Sequence, residues 1–509
     1  RTGRLDDALV AVEACLEHTP TAVDLYHRKA RLLKKSGALS RAASVMDAAR
    51  RLDKSDRYVN NKATKYLLRA GAVARAEKTV ALFTRHEGDP QHTLYEMQCM
   101  WYELCWAEAA LRRGDLGPAL KKALAVEEHF RVFVEDQFDF HTYCMRKMTL
   151  RAYSDMLRMT DRIYGHKFFC RAASIIIRAY LEQHARPKAV SGGVAAAVPD
   201  MSTMTAAEKK RHKAKLRKDA KKKQQEEDDA KAAAKPPPPP HAAAAAAAVG
   251  AGQAGKAATG EPEAAMGRPP RRGRNIPPPP PDDDPLGHKL LEKDSLAEAG
   301  RVAAALTLHA GRRPETHVLA FDVAERRGKP LLALRALVRG RALAPSNPEL
   351  LLRTVRFYQT WGAAAAAGGG PAVAAAGAAT APSDAASAGS AAEVPPPTLS
   401  PVAARVVTAV KGLLGGSDVA ALAERMAADA AATGGSLPLR VAAAQALVLL
   451  SPKNVARAET LVAGGFDGRG VSLETCEAAG AALKSFGRPE AVETFHAACV
   501  ARFPLAEAF

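Results

Sequence analysis

The sequence predicts an all-α protein made of stacked helical hairpins, a solenoid interrupted by two low-complexity linkers. Three observations predict it: a glycine–alanine motif with a fixed period, prolines at a fixed distance behind that motif, and apolar residues at helical spacing. Gly3-Arg-Leu-Asp-Asp-Ala8 returns as Gly37-Ala-Leu-Ser-Arg-Ala42 and again as Gly71-Ala-Val-Ala-Arg-Ala76, with glycines 34 residues apart each time. Gly114-Asp-Leu-Gly-Pro-Ala119 follows 43 residues later, which implies an inserted loop around His86-Glu-Gly-Asp-Pro90. Gly328-Lys-Pro-Leu-Leu-Ala333 and Gly487-Arg-Pro-Glu-Ala-Val492 are later copies. Gly3, Gly328 and Gly487 are each followed 17 residues on by a proline, at Pro20, Pro345 and Pro504.

Each part of the motif has a physical task. Glycine allows the tight turn between two antiparallel helices. A small alanine in the second helix lets the first approach closely. Proline stops the second helix because it cannot continue the hydrogen-bond ladder. One helix pair cannot bury its apolar face alone, so neighbours stack. The pattern is that of a tetratricopeptide-repeat, right-handed superhelical solenoid. Leu5, Leu9, Val12 and Leu16, and then Leu25, Leu32, Leu33 and Leu39, fall near helical spacing and are expected in its core. Strand signals are almost absent.

Along the chain this gives repeats over 1–187, a basic and Pro/Ala-rich linker over 188–285, repeats over 286–361, a second linker over 362–400, and C-terminal repeats over 401–509. Runs of alanine, proline, glycine and serine cannot bury enough varied apolar surface to offset ordering entropy, so both linkers are expected to be disordered. The chain opens on Arg1 already in a helical pattern and is expected to be the C-terminal part of something longer.

The formal net charge of +19 favours polyanionic partners such as RNA, the ribosome, inositol phosphates or anionic lipid. Seven cysteines without a C-x-x-C pair suggest neither a disulfide framework nor a zinc ribbon, and point to a reducing compartment. No apolar stretch has spanning character, so no membrane is expected.

Catalytic constellations are scarce. The chain lacks G-x-S-x-G, H-E-x-x-H, Walker A and dinucleotide fingerprints. Its nearest approach to an acetyl-CoA pyrophosphate turn, Arg162-Ile-Tyr-Gly165-His-Lys167, lacks the final small residue and has no strand before it. His141 and His317 read as core or capping histidines. Asp136, Asp139 and His141 do not read as a metal site, because Asp139 and His141 do not share a helix face.

Two basic features remain. Residues 204–223 carry ten Lys/Arg against two acids: Lys209, Lys210, Arg211, Lys213, Lys215, Arg217, Lys218, Lys221, Lys222 and Lys223. The run reads as a solvated charged helix, as a nuclear-localisation signal, or as an electrostatic contact to ribosomal RNA phosphates. Without interleaved aromatics it does not read as a base-stacking surface. Arg31, Lys34 and Lys35 share a face of one repeat's first helix, and Arg57, Lys62 and Lys65 lie near the start of the next. Together they form either an ordinary solvated face or a wall suited to a compact polyphosphate.

The segments Glu96-Met-Gln-Cys-Met-Trp101 and Asp136-Gln-Phe-Asp-Phe-His-Thr-Tyr-Cys-Met-Arg-Lys147 resemble the auxiliary subunit family of the N-terminal acetyltransferase A (NatA) complex. So do Asp56-Arg57-Tyr58, Lys62 with Lys65-Tyr66, Glu315-Thr-His317 with Ala320-Phe321, Ser436-Leu-Pro438, and the stretch from Phe503-Pro504 to Ala508-Phe509. The resemblance covers 1–187 and, more loosely, 286–361 and 400–509. It implies a non-catalytic scaffold that wraps a catalytic acetyltransferase subunit and docks it on the ribosome. Acetyl-CoA then belongs to the partner, and the substrates are nascent chains starting with Ser, Ala, Thr, Gly, Val or Cys. The resemblance also implies inositol hexakisphosphate between the subunits, with Arg31, Lys62 and Lys65 on family positions that are basic. A second acetyltransferase, a small regulatory subunit and a cytoplasmic, ribosome-associated location, with a nuclear pool, are further implications. From the residues alone, a tetratricopeptide co-chaperone that clamps acidic peptides, with Asn61 and Lys62 as candidates, and a general RNA-binding scaffold stay open.

Overall fold

The computed structural model describes residues 5–84, 88–135, 150–186, 282, 284–366, 400–409, 418–432, 435–467 and 470–509. The described residues within 1–186 and 280–509 form one compact unit; residues 187–279 lie outside the described residues. The motif at Asp136–Lys147, His141, and the basic run 209–223 also lie outside them.

All regular structure among the described residues is helical. The first group is α1 (Leu5–His18), α2 (Val23–Lys35), α3 (Leu39–Leu52), α4 (Arg57–Arg69), α5 (Val73–Ala81), α6 (Pro90–Glu96), α7 (Met100–Arg113), α8 (Leu116–Glu135), α9 (Leu150–Thr160) and α10 (Lys167–Ala185). The second is α11 (His288–Leu291), α12 (Ser295–His309), α13 (Pro314–Arg326), α14 (Pro330–Leu343) and α15 (Pro348–Ala366). The third is α16 (Pro401–Ala409), α17 (Val419–Ala431), α18 (Leu437–Leu450), α19 (Val455–Ala463), α20 (Leu473–Phe486) and α21 (Pro489–Arg502).

The hairpins close as their sequence motif requires. Gly37, Gly71, Gly114 and Gly328 take the left-handed conformation, with φ of 88°, 75°, 78° and 61°. In each case the next residue donates back across five positions: Ala38 N–H to Leu33 O, Ala72 to Leu67, Asp115 to Ala110 and Lys329 to Ala324, at 2.9–3.0 Å. This bond satisfies a carbonyl left open by the ending helix and reverses the chain. The alanines five residues after the glycines, Ala42, Ala76, Ala119 and Ala333, are fully buried at 0% exposure. A larger side chain there would push the paired helices apart.

Two turns depart from the pattern. The nine extra residues before Gly114 hold α6, a short helix capped by Asp89, rather than only a loop. It ends with the same bond, Cys99 N–H to Leu94 O at 3.0 Å, but with Gln98 in the left-handed position at φ 49°. Gln91 of α6 donates to the Tyr102 hydroxyl at 2.9 Å and accepts from Lys122 at 3.0 Å, which ties α6 to α7 and α8. Gly487 is not left-handed; its φ is −83°. That turn is fastened from α19 instead, where Glu459 accepts from the Arg488 backbone N–H at 2.7 Å and from its guanidinium.

Packing passes from one helix pair to the next through four successive apolar cores. The first runs from Leu9 to Ala109 and the second from Leu104 to Val323. The third runs from Phe321 to Leu447 and the fourth from Leu437 to Cys499. Each repeat meets mainly its neighbours, as in any solenoid. Tyr180 and Ile176 of α10 share a core with Val302 and Leu306 of α12, so the residues numbered 187–281 are inserted between two helices that pair directly. His317 is buried and shares a hydrogen bond of 2.8 Å with Gly311 O, a capping role. No described helix is long and apolar enough to cross a membrane.

The turn geometry sets opposite outcomes for two substitutions. Nothing lies within 4 Å of a Cβ built on Gly71, so Gly71→Ala meets only the conformational penalty and lowers stability by about 1 kcal/mol. Gln98→Gly relieves the same penalty and raises stability by several tenths of a kcal/mol. Urea denaturation of both variants checks the pair.

Candidate functional site

α2 and α4 are the first helices of neighbouring hairpins. Ala30 and Leu33 of α2 and Val59, Ala63 and Leu67 of α4 face one core. That fixes the rotation of each helix and turns other positions outward. On α4, Tyr58, Lys62, Lys65 and Arg69 recur at i, i+4, i+7 and i+11 and share a face. On α2, Arg31 is exposed and Lys34 half-buried beside them.

Electrostatics show that these groups converge. Lys34 is held below the usual lysine range first by burial, then by Arg69, Arg31, Lys35 and Lys62. Lys65 is lowered by burial, and further by Lys62 and Arg69, against an opposing contribution from Cys105. The His27 imidazole is pushed down by burial and then by Lys62, with Arg31 and Lys34 adding to it and Asp24 opposing. Among the described residues none of Arg31, Lys34, Lys62, Lys65 and Arg69 makes an ion pair, whereas Lys29 beside them pairs with Glu13 at 2.9 Å.

Aromatic rings take the place of carboxylates. The Lys62 ammonium lies 5.0 Å from the centre of the Tyr58 ring, and the Lys65 ammonium 4.4 Å from that of Trp101 on α7. Tyr58 meets His27 edge-on at 6.2 Å. Ring faces attract cations weakly, by about 0.5–1 kcal/mol at exposed sites, and leave the positive charge unneutralised. The strip ends at α7, where Glu108 accepts from Arg171 of α10 at 2.7 Å.

The structure thus brings Arg31, Lys34, Lys62 and Lys65 together. It separates Arg57, which is exposed at the first position of α4, off the shared face, with its charge felt by the Cys99 thiol. Arg69 belongs to the cluster and was not among the expected residues, although its spacing from Lys62 and Lys65 carries the signal. Asn61 is half-buried, and its neighbour Asn60 is buried and donates to Thr79 O at 3.0 Å.

The chemistry of the cluster suits an anion. Five cations converge on one surface with their donors unspent, the arrangement that favours a multivalent phosphate. Cys105, beside Lys65, has its thiol pushed up by burial, opposite to the shift that makes a reactive thiolate. Among the described residues no group of His, Cys, Asp and Glu is placed to hold a metal ion. Gly165, in the segment that falls short of an acetyl-CoA turn, lies in a single 3-10 turn (Ile163–Gly165) ahead of α10.

Comparison with known proteins agrees with this architecture. The family model of the N-terminal acetyltransferase A auxiliary subunit matches residues 1–340. The chain is 41% identical over 359 residues to the N-terminal acetyltransferase A complex auxiliary subunit NAA15 of Arabidopsis thaliana, covering 70% of this chain and 36% of that protein. It is 41% identical over 351 residues to the N-alpha-acetyltransferase 16, NatA auxiliary subunit, of Mus musculus, covering 69% of this chain and 37% of the relative. A solved structure of Naa15/Naa10 bound to HypK-THB superposes with a TM-score of 0.51 at 30% identity, over 71% of this chain and 42% of the other. The chain therefore spans little more than a third of the length of these curated relatives. With its tetratricopeptide-type hairpins and this sequence match, the chain belongs to the N-terminal acetyltransferase A auxiliary subunit family.

Proposed function

We propose that this chain is a non-catalytic scaffold that grips the catalytic subunit of an N-terminal acetyltransferase, tunes it, and docks it on the ribosome for co-translational acetylation. The observation that carries this reading is the family match over residues 1–340, on a fold of stacked helical hairpins that offers surfaces to a partner. The Naa15 structure, solved with Naa10 and HypK-THB, supports two kinds of partner: a catalytic subunit and a small regulatory one. A second acetyltransferase is a further partner in this reading. Acetyl-CoA is bound by the catalytic partner. The scaffold works in the cytoplasm on ribosomes, with a nuclear pool.

Inositol hexakisphosphate is the polyanion we assign to Arg31, Lys34, Lys62, Lys65 and Arg69. Its phosphates oppose the downward shift of Lys34 and Lys65, which burial causes first and mutual repulsion deepens. In the free chain both lysines titrate below their usual value, so in the window beneath it the unfolded state binds more protons at these two sites, and their contribution to stability rises with pH. A bound polyphosphate opposes that contribution. The basic run 209–223 is assigned to ribosomal RNA phosphates.

Three outcomes are expected. Co-expressed with its catalytic subunit, the chain retains that subunit through gel filtration; Lys62→Glu with Lys65→Glu lowers inositol hexakisphosphate affinity at least tenfold by calorimetry and loosens the pair. Unchanged affinity removes the polyphosphate assignment. Deleting 209–223 weakens ribosome co-sedimentation and flattens its salt dependence while leaving subunit pairing intact. A general RNA scaffold would instead lose every activity with that deletion. In thermal melts, added inositol hexakisphosphate raises the melting temperature more at pH 8 than at pH 10, where Lys34 and Lys65 are losing their protons.

A further inference from the structure

The turn between α2 and α3 is covered by a segment from far along the chain. Ala506 lies so close over Gly37 that a Cβ built on the glycine would stand 2.7 Å from the Ala506 Cβ and 2.9 Å from its Cα. The Glu507 carboxylate accepts from the Ser40 backbone N–H at 2.8 and 3.0 Å and from the Ser40 hydroxyl at 2.8 Å. The Glu507 N–H donates to Gly37 O at 3.2 Å. Ser40 is the second residue of α3, where an N–H has no acceptor within its own helix. A carboxylate is the favoured partner there, because the N-terminal end of a helix is electropositive.

Apolar contacts run the same way. Leu505 packs on the first core, with Leu33 and Ala42, while Phe503 and Phe509 pack on the fourth core, with Leu483 and Cys499. Leu473, at the start of α20, also reaches the Gly37 turn, its Cδ2 standing 3.0 Å from where that Cβ would be. Arg112 of α7 is close enough to Glu477 of α20 to oppose the upward shift that burial and Glu474 impose on it.

We infer that residues 503–509 act as a clasp, fastening the α2–α3 hairpin to the α20–α21 hairpin through Glu507 on the α3 N-terminus and Leu505 on the first core. Solenoid repeats otherwise meet their sequence neighbours alone, so a contact between residues 40 and 507 constrains every repeat between them. Ser40 and Glu507 are both exposed. The charged half of the clasp can therefore part without opening either core, and salt screens it. A guest held by the repeats between would be released more slowly with the clasp shut. That consequence rests on the scaffold reading; the clasp does not.

Residue-resolved hydrogen exchange on the full chain tests it without any guest. The amide of residue 507 is the reporter, since it donates to Gly37 O. Glu507→Lys removes the carboxylate, and Ser40→Asp sets a second carboxylate against it. Each single change is expected to speed exchange of that amide at least tenfold, with the α3 amides from Ala43 to Met46 unchanged. The double variant Ser40→Asp with Glu507→Lys restores attraction and slows the amide again. Unchanged exchange in Glu507→Lys, loss of protection throughout α3, or no recovery in the double variant overturns the clasp.

Discussion

The left-handed residue at each hairpin, with the bond from its successor back across five positions, is the constraint on which the rest of the structure depends. It sets the end of one helix and the direction of the next at a single point. The fully buried alanines, Ala42, Ala76, Ala119 and Ala333, then decide how near the two axes come. Once pairs are this close, their remaining apolar faces can be buried only against the next pair. The four cores follow, and with them a row of first helices whose outward positions lie side by side.

That row explains why charge gathers where it does. Burial of Leu33 and Leu67 forces Lys34, Lys62 and Lys65 onto one shared surface. Folding brings cations within reach of one another, and among the described residues no carboxylate forms an ion pair with them. Tyr58 and Trp101 hold the ammonium groups in place but cannot neutralise them. A surface that is repulsive when empty is stabilised by an anion that fills it. Elsewhere some charges are paired closely, as where Asp322 accepts two bonds from Arg353 at 2.8 and 2.7 Å.

Much of this was legible in the sequence, for physical reasons that also mark the limits. A left-handed turn nearly demands glycine, so Gly37, Gly71, Gly114 and Gly328 announced their hairpins. Gln98 makes the same turn without glycine, and α6 was accordingly read as a loop. Gly487 carried the right letter but has an ordinary cap, because Glu459 fastens that turn from another helix; a contact 29 residues away has no local signature. The basic cluster was legible in helical spacing. Arg57 was grouped with it because sequence position, not rotation about α4, guided the grouping, and Arg69 was left out for the same reason. The Glu507 contact, spanning 467 positions, could only emerge from the fold.

The central claim is that the first-helix surface of α2, α4 and α7 receives another protein and that the chemistry belongs to that protein. Hydrogen exchange of this chain alone and bound to its catalytic acetyltransferase subunit tests it most directly, with acetyl transfer measured on both samples. Slowed exchange on α2, α4 and α7 upon binding, with acetyl transfer only when the partner is present, is the result predicted. Protection confined to other helices, or acetyl transfer by this chain alone, would contradict it.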